Sequence, residues 1–250
     1  MLALPLLGFL VAPLLALVWR LDWSHLWVYL LHPAVVQALQ VSLATTAIAT
    51  LLSVLLGLPV AFALARRTLP ARRLIDTLID LPMVLPPAVA GIALLMAFGR
   101  RGFFGPLLAT WGIEIAFTQI AVVVAQIFVA APYFVKSASA GFAGVDRELE
   151  YAAALDGASN TQVLRYITIP LAWPSLFSGA IMTWARALGE FGATIIFAGN
   201  FPARTQTMPL AIYVGFERDI DIAITLACIL LGISFSVLFI VKRFSPRTEH

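Results

Sequence analysis

Residues 41–65 read VSLATTAIATLLSVLLGLPVAFALA and contain no charged side chain. At about 1.5 Å of rise per residue, a helix of this length crosses the roughly 30 Å hydrocarbon core of a bilayer. Inside that core only a helix, or a closed barrel, satisfies every backbone N–H and C=O. The run therefore predicts a transmembrane helix and sets the class of the chain.

Five further apolar runs surround this one, at residues 2–19, 82–98, 120–140, 176–198 and 222–241. The first has no Lys or Arg ahead of its apolar part and no convincing cleavage site, so it predicts a membrane helix rather than a signal peptide. The run 176–198 contains Arg186 and Glu190 but is otherwise apolar. We predict an all-α integral membrane protein of about six transmembrane helices, forming one domain over residues 1–250.

The composition supports a membrane protein, because 61% of the residues are hydrophobic and 12% are charged, whereas soluble domains have about 45–50% and 25%. The net charge is only +3, and the basic residues lie beside apolar runs, so we expect membrane lipids as partners and no nucleic acid. Cys228 is the single cysteine, which excludes an intrachain disulfide and a Cys-based metal site. No bound cofactor or metal is expected.

The basic loop residues predict the orientation, because cytoplasmic loops of membrane proteins are enriched in Lys and Arg. One side holds Arg66, Arg67, Arg72, Arg73, Lys136, Arg147, Arg165, Lys242, Arg243 and Arg247. The other side holds Arg20, Arg100, Arg101, Arg204 and Arg218. This asymmetry predicts that both termini lie in the cytoplasm. The location that we expect for this multi-pass protein is the cell (inner) membrane.

The run 82–98 opens with Pro82 and continues through Pro86 and Pro87. Proline lacks an N–H and restricts the residue before it, so this entry is expected to be extended or kinked. Such a break serves either helix packing or a water-filled pathway.

The polar segment that follows the run 120–140 predicts two short helices. Asp146 is placed to cap the first helix, whose first turn holds Glu148 and Glu150, and Gly157 is placed to end it. Three consecutive alanines, residues 152–154, leave one side of this helix nearly bare, so that a partner's backbone can approach closely.

The second short helix is expected to begin at a cap, either Ser159 or Asn160, and to end at Pro170. Its apolar face consists of Val163, Leu164 and Ile167. The two helices are therefore expected to stand at an angle in the cytoplasm, although a pair of helices lying on the lipid headgroups has a similar pattern.

The segment contains Glu-x-Ala-Ala-x-x-x-Gly, nine further residues and then Ile-x-Ile-Pro, and it resembles the EAA loop of ABC importer permeases. The resemblance implies a type I (MetI-like) permease architecture with a coupling loop at about 141–175. It also implies a homodimer, with two copies of an ATP-binding subunit that receive the loops. The motif positions are Glu150, Ala152, Ala153, Gly157, Ile167 and Pro170. Tyr151 and Ile169 depart from the usual motif.

The sequence lacks a phosphate-binding loop, because neither Lys136 nor Lys242 follows the glycines of a Gly-x-x-x-x-Gly-Lys pattern. We therefore expect ATP and Mg²⁺ to bind the partner subunit and this chain to be a non-catalytic translocation subunit. A secondary transporter or channel would need inverted repeats or a carboxylate relay, and an intramembrane enzyme would need clustered reactive groups. Neither pattern is found.

Arg186 and Glu190 are four residues apart in an apolar run, so they share a helix face and can pair. Ionisable groups at membrane depth are candidates for a functional pathway, while a pair that only fixes helix packing is an equal alternative. Thr194 and Asn200 are neutral hydrogen-bonding residues that could serve the same pathway.

The stretches 186–200 and 204–213, with the Leu-Pro-x-x-Leu-Pro-Pro entry at residues 81–87, resemble molybdate importer permeases. Sulfate permeases are similar through Ala-Leu-Gly-Glu-Phe-Gly and then diverge. The resemblance implies that the cargo is a tetrahedral dianion, molybdate or alternatively tungstate or sulfate/thiosulfate, and that an extracytoplasmic binding protein delivers it.

The external segment 200–221 includes a short apolar stretch, residues 208–216, that could lie on the membrane surface and receive the binding protein. Arg100, Arg204 and Arg218 are docking candidates, although most exposed arginines are simply solvated. His25 and His32 lie in the first external loop, where ordinary interfacial histidines are expected rather than metal ligands.

Overall fold

The computed structural model describes residues 3–66 and 69–244, and no strand occurs in these ranges. Leu2, Arg67 and Arg247 lie outside them, and the side chains of Lys242 and Arg243 are likewise not described. The helices are α1 (Ala3–Trp19), α2 (Leu26–Leu30), α3 (Pro33–Ala65), α4 (Arg72–Val84), α5 (Pro87–Phe98), α6 (Gly105–Thr110), α7 (Gln119–Ala143), α8 (Arg147–Leu155), α9 (Asn160–Val163), α10 (Ile169–Leu188), α11 (Gly192–Phe197), α12 (Met208–Arg218) and α13 (Ile220–Phe244).

Among these residues, α3, α7 and α13 are long and apolar enough to cross a membrane. The pair α4 and α5 adds a fourth span if it is counted as one bent segment. Helix α1 is apolar but shorter, and the 20 residues of α10 are long enough but less apolar. The all-α membrane class is thus confirmed, whereas three or four spans meet both criteria and the count of six remains a prediction.

Helix α3 begins eight residues before the predicted start at residue 41. His32 caps it, because its Nδ1 accepts a hydrogen bond of 3.3 Å from the N–H of Ala34, and Pro33 occupies the first turn, where its missing N–H has no partner to lose. The sequence pattern did not predict these first eight residues because Gln37 and Gln40 interrupt the apolar run.

The predicted span 82–98 is broken, as its prolines suggested. Helices α4 and α5 meet at 116°, and Leu85 between them has extended backbone angles. Pro86 and Pro87 supply no N–H to continue α4, and Pro87 instead fits the first turn of α5. The expectation of a kinked entry is confirmed.

Helix α4 is amphipathic and presents two aspartates to α7. Lys136 Nζ lies 2.7 Å from Asp76 Oδ1 and 2.8 Å from Asp80 Oδ2. The prediction that Lys136 lies in a cytoplasmic loop is wrong, since this residue is inside α7. Its long side chain reaches the charged face of α4 while its backbone stays in an apolar helix.

Helix α7 is the centre of the bundle and packs closely against α10 through small residues. A Cβ added to Gly179 would lie 2.7 Å from Ser137 Cβ, and one added to Gly141 would lie 2.5 Å from Ser175 Cβ. The hydroxyl of Ser137 donates a hydrogen bond of 2.7 Å to the carbonyl of Ser175. Small residues therefore bring the two backbones together, as is common between membrane helices.

Replacing Gly179 by valine is expected to destabilise the bundle by about 1–3 kcal/mol, because the added methyl groups enter a space that Ser137 already occupies. Thermal unfolding of the detergent-solubilised protein measures the effect. Gly232→Val is the matched control, since a Cβ at Gly232 meets nothing within 4 Å. Equal melting temperatures for the two variants would contradict close packing at Gly179.

Helix α12 corrects the expectation that residues 208–216 lie on the membrane surface. Met208 and Ala211 are buried in a cluster with Val35 and Ala38 of α3 and Leu226 of α13. The N–H of Met208 also donates a hydrogen bond of 2.7 Å to the hydroxyl of Ser42. One face of α12 therefore belongs to the bundle, because its small and apolar side chains pack better there than at a polar surface.

Candidate functional site

The short helix α8 forms as its sequence predicts. The Asp146 side chain caps it by accepting a hydrogen bond of 2.9 Å from the N–H of Glu148, and Glu148 and Glu150 lie in the first turn, where the helix dipole favours negative charge. Beyond the end of α8, Gly157 has a φ of +91°, a left-handed conformation that side chains disfavour.

The second short helix begins as predicted but does not end at Pro170. Ser159 and Gln162 form a reciprocal capping box at the start of α9. A π-helical turn, Leu164–Thr168, then joins α9 to α10, so the chain stays helical past Pro170. The wider turn changes the hydrogen-bond register immediately before a residue that has no N–H, which explains why the proline is tolerated.

Glu150 points into the protein and ties α8 to α3 and to the start of α10. Its carboxylate pairs with the guanidinium of Arg66 at the end of α3 and accepts a hydrogen bond of 2.6 Å from the hydroxyl of Thr168 at the start of α10. The Arg66 guanidinium also lies 5.5 Å from the ring centroid of Phe62, a favourable cation–π geometry. We call Arg66, Glu150 and Thr168 the loop anchor.

The loop anchor is partly shielded from solvent. The side chains of Arg66 and Glu150 are 10% and 15% exposed, so their attraction is screened less than that of a surface pair. Glu150 therefore stabilises the loop from within this chain, and its predicted part in coupling to an ATP-binding subunit stays a prediction. Tyr151, which departs from the motif, is 60% exposed and faces outward instead.

Apolar side chains stand exposed on the loop that joins α7 to α10. They are Leu149 (50% exposed), Tyr151 (60%), Leu155 (88%) and Tyr166 (67%), and we call them the exposed loop residues. Ala152 is exposed and Ala153 partly so, as expected for a bare helix side. Leu149, Leu155 and Tyr166 were not predicted to be exposed, and Tyr151 was noted only as a departure from the motif, although apolar side chains within a polar loop were the available signal.

The two halves of the loop enclose a cavity of about 550 Å³. Helix α8 contributes Arg147 and Glu150 to its wall, and the segment around α9 contributes Asn160 and Thr168. Two other motif positions lie at the end of the loop, where Ile167 is half-buried and Pro170 is exposed. The loop anchor therefore fixes the two halves of the loop as one concave surface rather than as two independent helices.

The predicted pair of Arg186 and Glu190 is present, at 2.9 Å between Nη1 and Oε2. However, α10 ends at Leu188, and the second oxygen of Glu190 accepts a hydrogen bond of 2.8 Å from the N–H of Ala193 in α11. The expectation of one continuous helix over residues 176–198 is therefore wrong. Glu190 is 1% exposed and both of its oxygens are bound within the chain.

The break between α10 and α11 lets α11 pack closely on α5. A Cβ added to Gly192 would lie 2.5 Å from Pro87 Cβ, and one added to Gly91 would lie 2.9 Å from Ile196 Cβ. Only glycine permits this approach, and a straight helix would carry α11 away from α5. Tertiary packing thus overrides the helical pattern of the sequence.

Thr194 and Asn200 follow this break. The Thr194 side chain is fully buried, and Thr194 Oγ1 and Asn200 Oδ1 are buried oxygens without a hydrogen-bond partner in the described ranges. No described contact joins either residue to Arg186 or Glu190. Of the four candidates the structure joins only the ion pair, and their part in a pathway stays a prediction.

Replacing Glu190 by alanine is expected to destabilise the protein by about 3 kcal/mol, because it leaves Arg186 and the Ala193 N–H without their buried acceptor. Thermal unfolding measures the change. Glu217→Ala is the control, since Glu217 is exposed and no partner of its side chain is described. If both variants melt alike, Glu190 does not stabilise the break.

The remaining candidates lie at or near the surface. Arg204 and Arg218 are exposed, and Arg100 pairs with Glu114 at 2.8 Å. The side chains of Ser24 and His25 hydrogen-bond to Asp22 and lower the pKa of this carboxyl group from 3.8 to about 2. Among the residues that the structure describes, no group of three or more His, Cys, Asp or Glu could hold a metal ion.

Comparison with known proteins adds three findings. The family model described as "Binding-protein-dependent transport system inner membrane component" matches residues 53–250. The molybdenum transport system permease protein ModB of Mycobacterium tuberculosis is 42% identical over 238 residues, which cover 95% of this chain and 90% of that protein. The sulfate transport system permease protein CysT of Salmonella typhimurium is 35% identical over 242 residues, covering 95% and 87%.

A solved structure shares the fold. A bacterial ABC transporter involved in the import of the acidic polysaccharide alginate contains a chain that superposes with a TM-score of 0.72 at 14% identity. The match covers all of this chain and 95% of that one. The helical arrangement described above is therefore shared with a chain of that transporter.

Proposed function

Because this chain belongs to the family of binding-protein-dependent transport system inner membrane components, we propose that it is the permease through which an ABC importer carries molybdate across the cell membrane. Its membership in the ABC importer permeases follows from the family itself. The proposal concerns the transported anion, the assembly of this chain with its partner subunits and its orientation in the membrane.

The observation that supports molybdate is the 42% identity to a molybdenum permease along nearly the whole of both chains. The described structure is compatible with that cargo, since the ion pair of Arg186 and Glu190 leaves no net charge at the helix break. A route with few fixed charges suits a dianion, which must enter and also leave it.

Sulfate is the second candidate, because the sulfate permease CysT is 35% identical over a similar length. The two anions share a tetrahedral shape and a charge of −2, so the same hydrogen-bond donors can serve either. Tungstate is also a tetrahedral anion with a charge of −2, so the donors that bind molybdate can bind tungstate as well.

The energy source in this proposal is a separate ATP-binding subunit that docks on the loop between α7 and α10. The exposed loop residues supply apolar surface for that contact, and the loop anchor transmits force to α3 and α10. Two copies of the permease and two of the ATP-binding subunit would form the complex, with an extracytoplasmic binding protein on the opposite face. The permease would span the inner membrane, and both of its termini would lie in the cytoplasm.

The test is uptake of labelled molybdate by cells that lack their own molybdate permease and express this chain with its ATP-binding subunit and binding protein. Uptake that excess tungstate inhibits and excess sulfate does not would support molybdate. Uptake of labelled sulfate alone would replace the substrate and keep the importer. Transport that persists without the ATP-binding subunit would overturn the energy source and indicate a secondary transporter.

A further inference from the structure

A cavity of about 510 Å³ opens between the first half of α3 and the first turns of α7. Its wall extends along α3 from Gln37 to Leu52, about 22 Å at the helical rise per residue. Ala203, in the loop before α12, closes one side. In the proposed orientation this cavity opens on the external face, opposite to the loop that docks the ATP-binding subunit.

Three carboxamide side chains line the cavity, those of Gln37, Gln40 and Gln119. No hydrogen bond of any of the three is found in the part of the chain that the structure describes. Each side-chain amide offers two N–H donors. The cavity therefore presents up to six side-chain N–H donors, none of them paired within the described chain, near the start of two helices.

The wall of this cavity contains no Asp, Glu, Lys or Arg. The amides lie toward the starts of α3 and α7, while Ile48, Leu52 and Val123 line the part that extends further along these helices. A polar entrance thus leads to an apolar inner part.

We propose that Gln37, Gln40 and Gln119 form the external entrance of the translocation pathway and bind the tetrahedral oxyanion transiently through their amide N–H groups. This inference rests on the proposed function, since it concerns the route of the same cargo. It assigns the anion-contacting role to residues that lie apart from the pair of Arg186 and Glu190.

The proposal depends on how strongly the amide N–H groups bind the oxyanion. Hydrogen bonds from neutral amides replace part of the hydration shell of a dianion, whereas a cluster of arginines would bind it tightly through bidentate, charge-assisted bonds. A transport route needs binding that is strong enough for entry and weak enough for release. The affinity that selects the cargo is then left to the binding protein.

The experiment compares Gln40→Glu and Gln37→Glu with the wild-type chain in proteoliposomes that contain the complete importer and the binding protein. Each substitution keeps the shape of the side chain but adds a negative charge, so molybdate uptake is expected to fall about tenfold or more. Gln40→Leu, which removes the donors without adding charge, is expected to cause a smaller loss. Gln206→Glu is the control, because Gln206 lies in the same external loop as Ala203 but does not line the cavity.

ATP hydrolysis by the same proteoliposomes without binding protein, together with recovery of the intact complex, separates a pathway role from a structural one. Reduced uptake with unchanged basal hydrolysis and assembly supports the entrance. Unchanged uptake in both glutamate variants overturns it, and so does a parallel loss of assembly. A loss equal to that of Gln206→Glu would also overturn it, because the effect would then be general surface repulsion.

The proposed function and the entrance can fail separately. If the wild-type importer carries sulfate and not molybdate, the substrate assignment fails, and the same variants are assayed with labelled sulfate. The entrance then stands or falls on the ratio of variant to wild-type uptake of that anion.

Discussion

Replacing Glu150 by lysine is expected to abolish the coupling of ATP hydrolysis to transport. The new ammonium group would face the guanidinium of Arg66 in a site where the wild-type pair is only 10–15% exposed. The hydroxyl of Thr168 would also lose its acceptor. Removing one partner of a buried ion pair destabilises a protein by about 3–5 kcal/mol, and this figure is an upper bound for a pair that retains some solvent contact.

The consequence is mechanical, because Glu150 connects α8 to the ends of α3 and α10. Without the loop anchor, movement of α8 no longer displaces those helices together. We expect molybdate uptake to fall at least about tenfold, while the ATP-binding subunit still hydrolyses ATP. The measurement is the ratio of anion transported to ATP hydrolysed in proteoliposomes.

Glu148→Lys is the matched control for this prediction, since it makes the same charge change two residues away at an exposed position of the same helix turn. Both variants lose a favourable interaction with the helix dipole, worth about 0.3–1 kcal/mol. Only Glu150→Lys breaks the loop anchor. Equal transport ratios for the two variants would mean that the anchor has no role in coupling.

Replacing Leu155 by aspartate is expected to eliminate stable binding of the ATP-binding subunit. Leu155 is 88% exposed at the end of α8, and burial of a leucine side chain contributes about 1.5–3 kcal/mol. The aspartate forfeits that contribution and adds the desolvation penalty of an unpaired charge. A loss of about 3 kcal/mol corresponds to a dissociation constant more than a hundredfold weaker.

Copurification of the two subunits from solubilised membranes, followed by a binding titration, measures this effect. Leu155→Met conserves the apolar contact and should retain binding. Asn160→Asp adds a negative charge to the same loop without removing an apolar group, and it should cause a much smaller change. Normal copurification of Leu155→Asp would exclude Leu155 from the docking surface.

The sequence predicted well those features that depend on residues close together in the chain. The cap at Asp146, the capping start at Ser159 and the bend at Pro86 are each decided by interactions within a few residues. The pair of Arg186 and Glu190 also lies within one turn. Such local interactions have only a few possible geometries, so the pattern of residue types is sufficient.

The candidate site was less predictable, and Glu150 shows why. Its motif position was clear, but its partner Arg66 is 84 residues away, and no local pattern indicates whether a carboxylate faces inward or outward. The same holds for Lys136, which was wrongly predicted to lie in a loop and whose partners, Asp76 and Asp80, belong to α4.

The sequence by itself determined that this chain is an all-α membrane protein, because long apolar runs leave the bilayer as their favourable environment, and that its motifs are those of an ABC importer permease. Only the tertiary structure decided where α10 stops, which residues anchor the loop between α7 and α10, and which amides share a cavity. Those features arise where helices distant in sequence approach closely, as Gly192 does to Pro87. Burial and partner geometry at such contacts depend on the packing of the whole bundle.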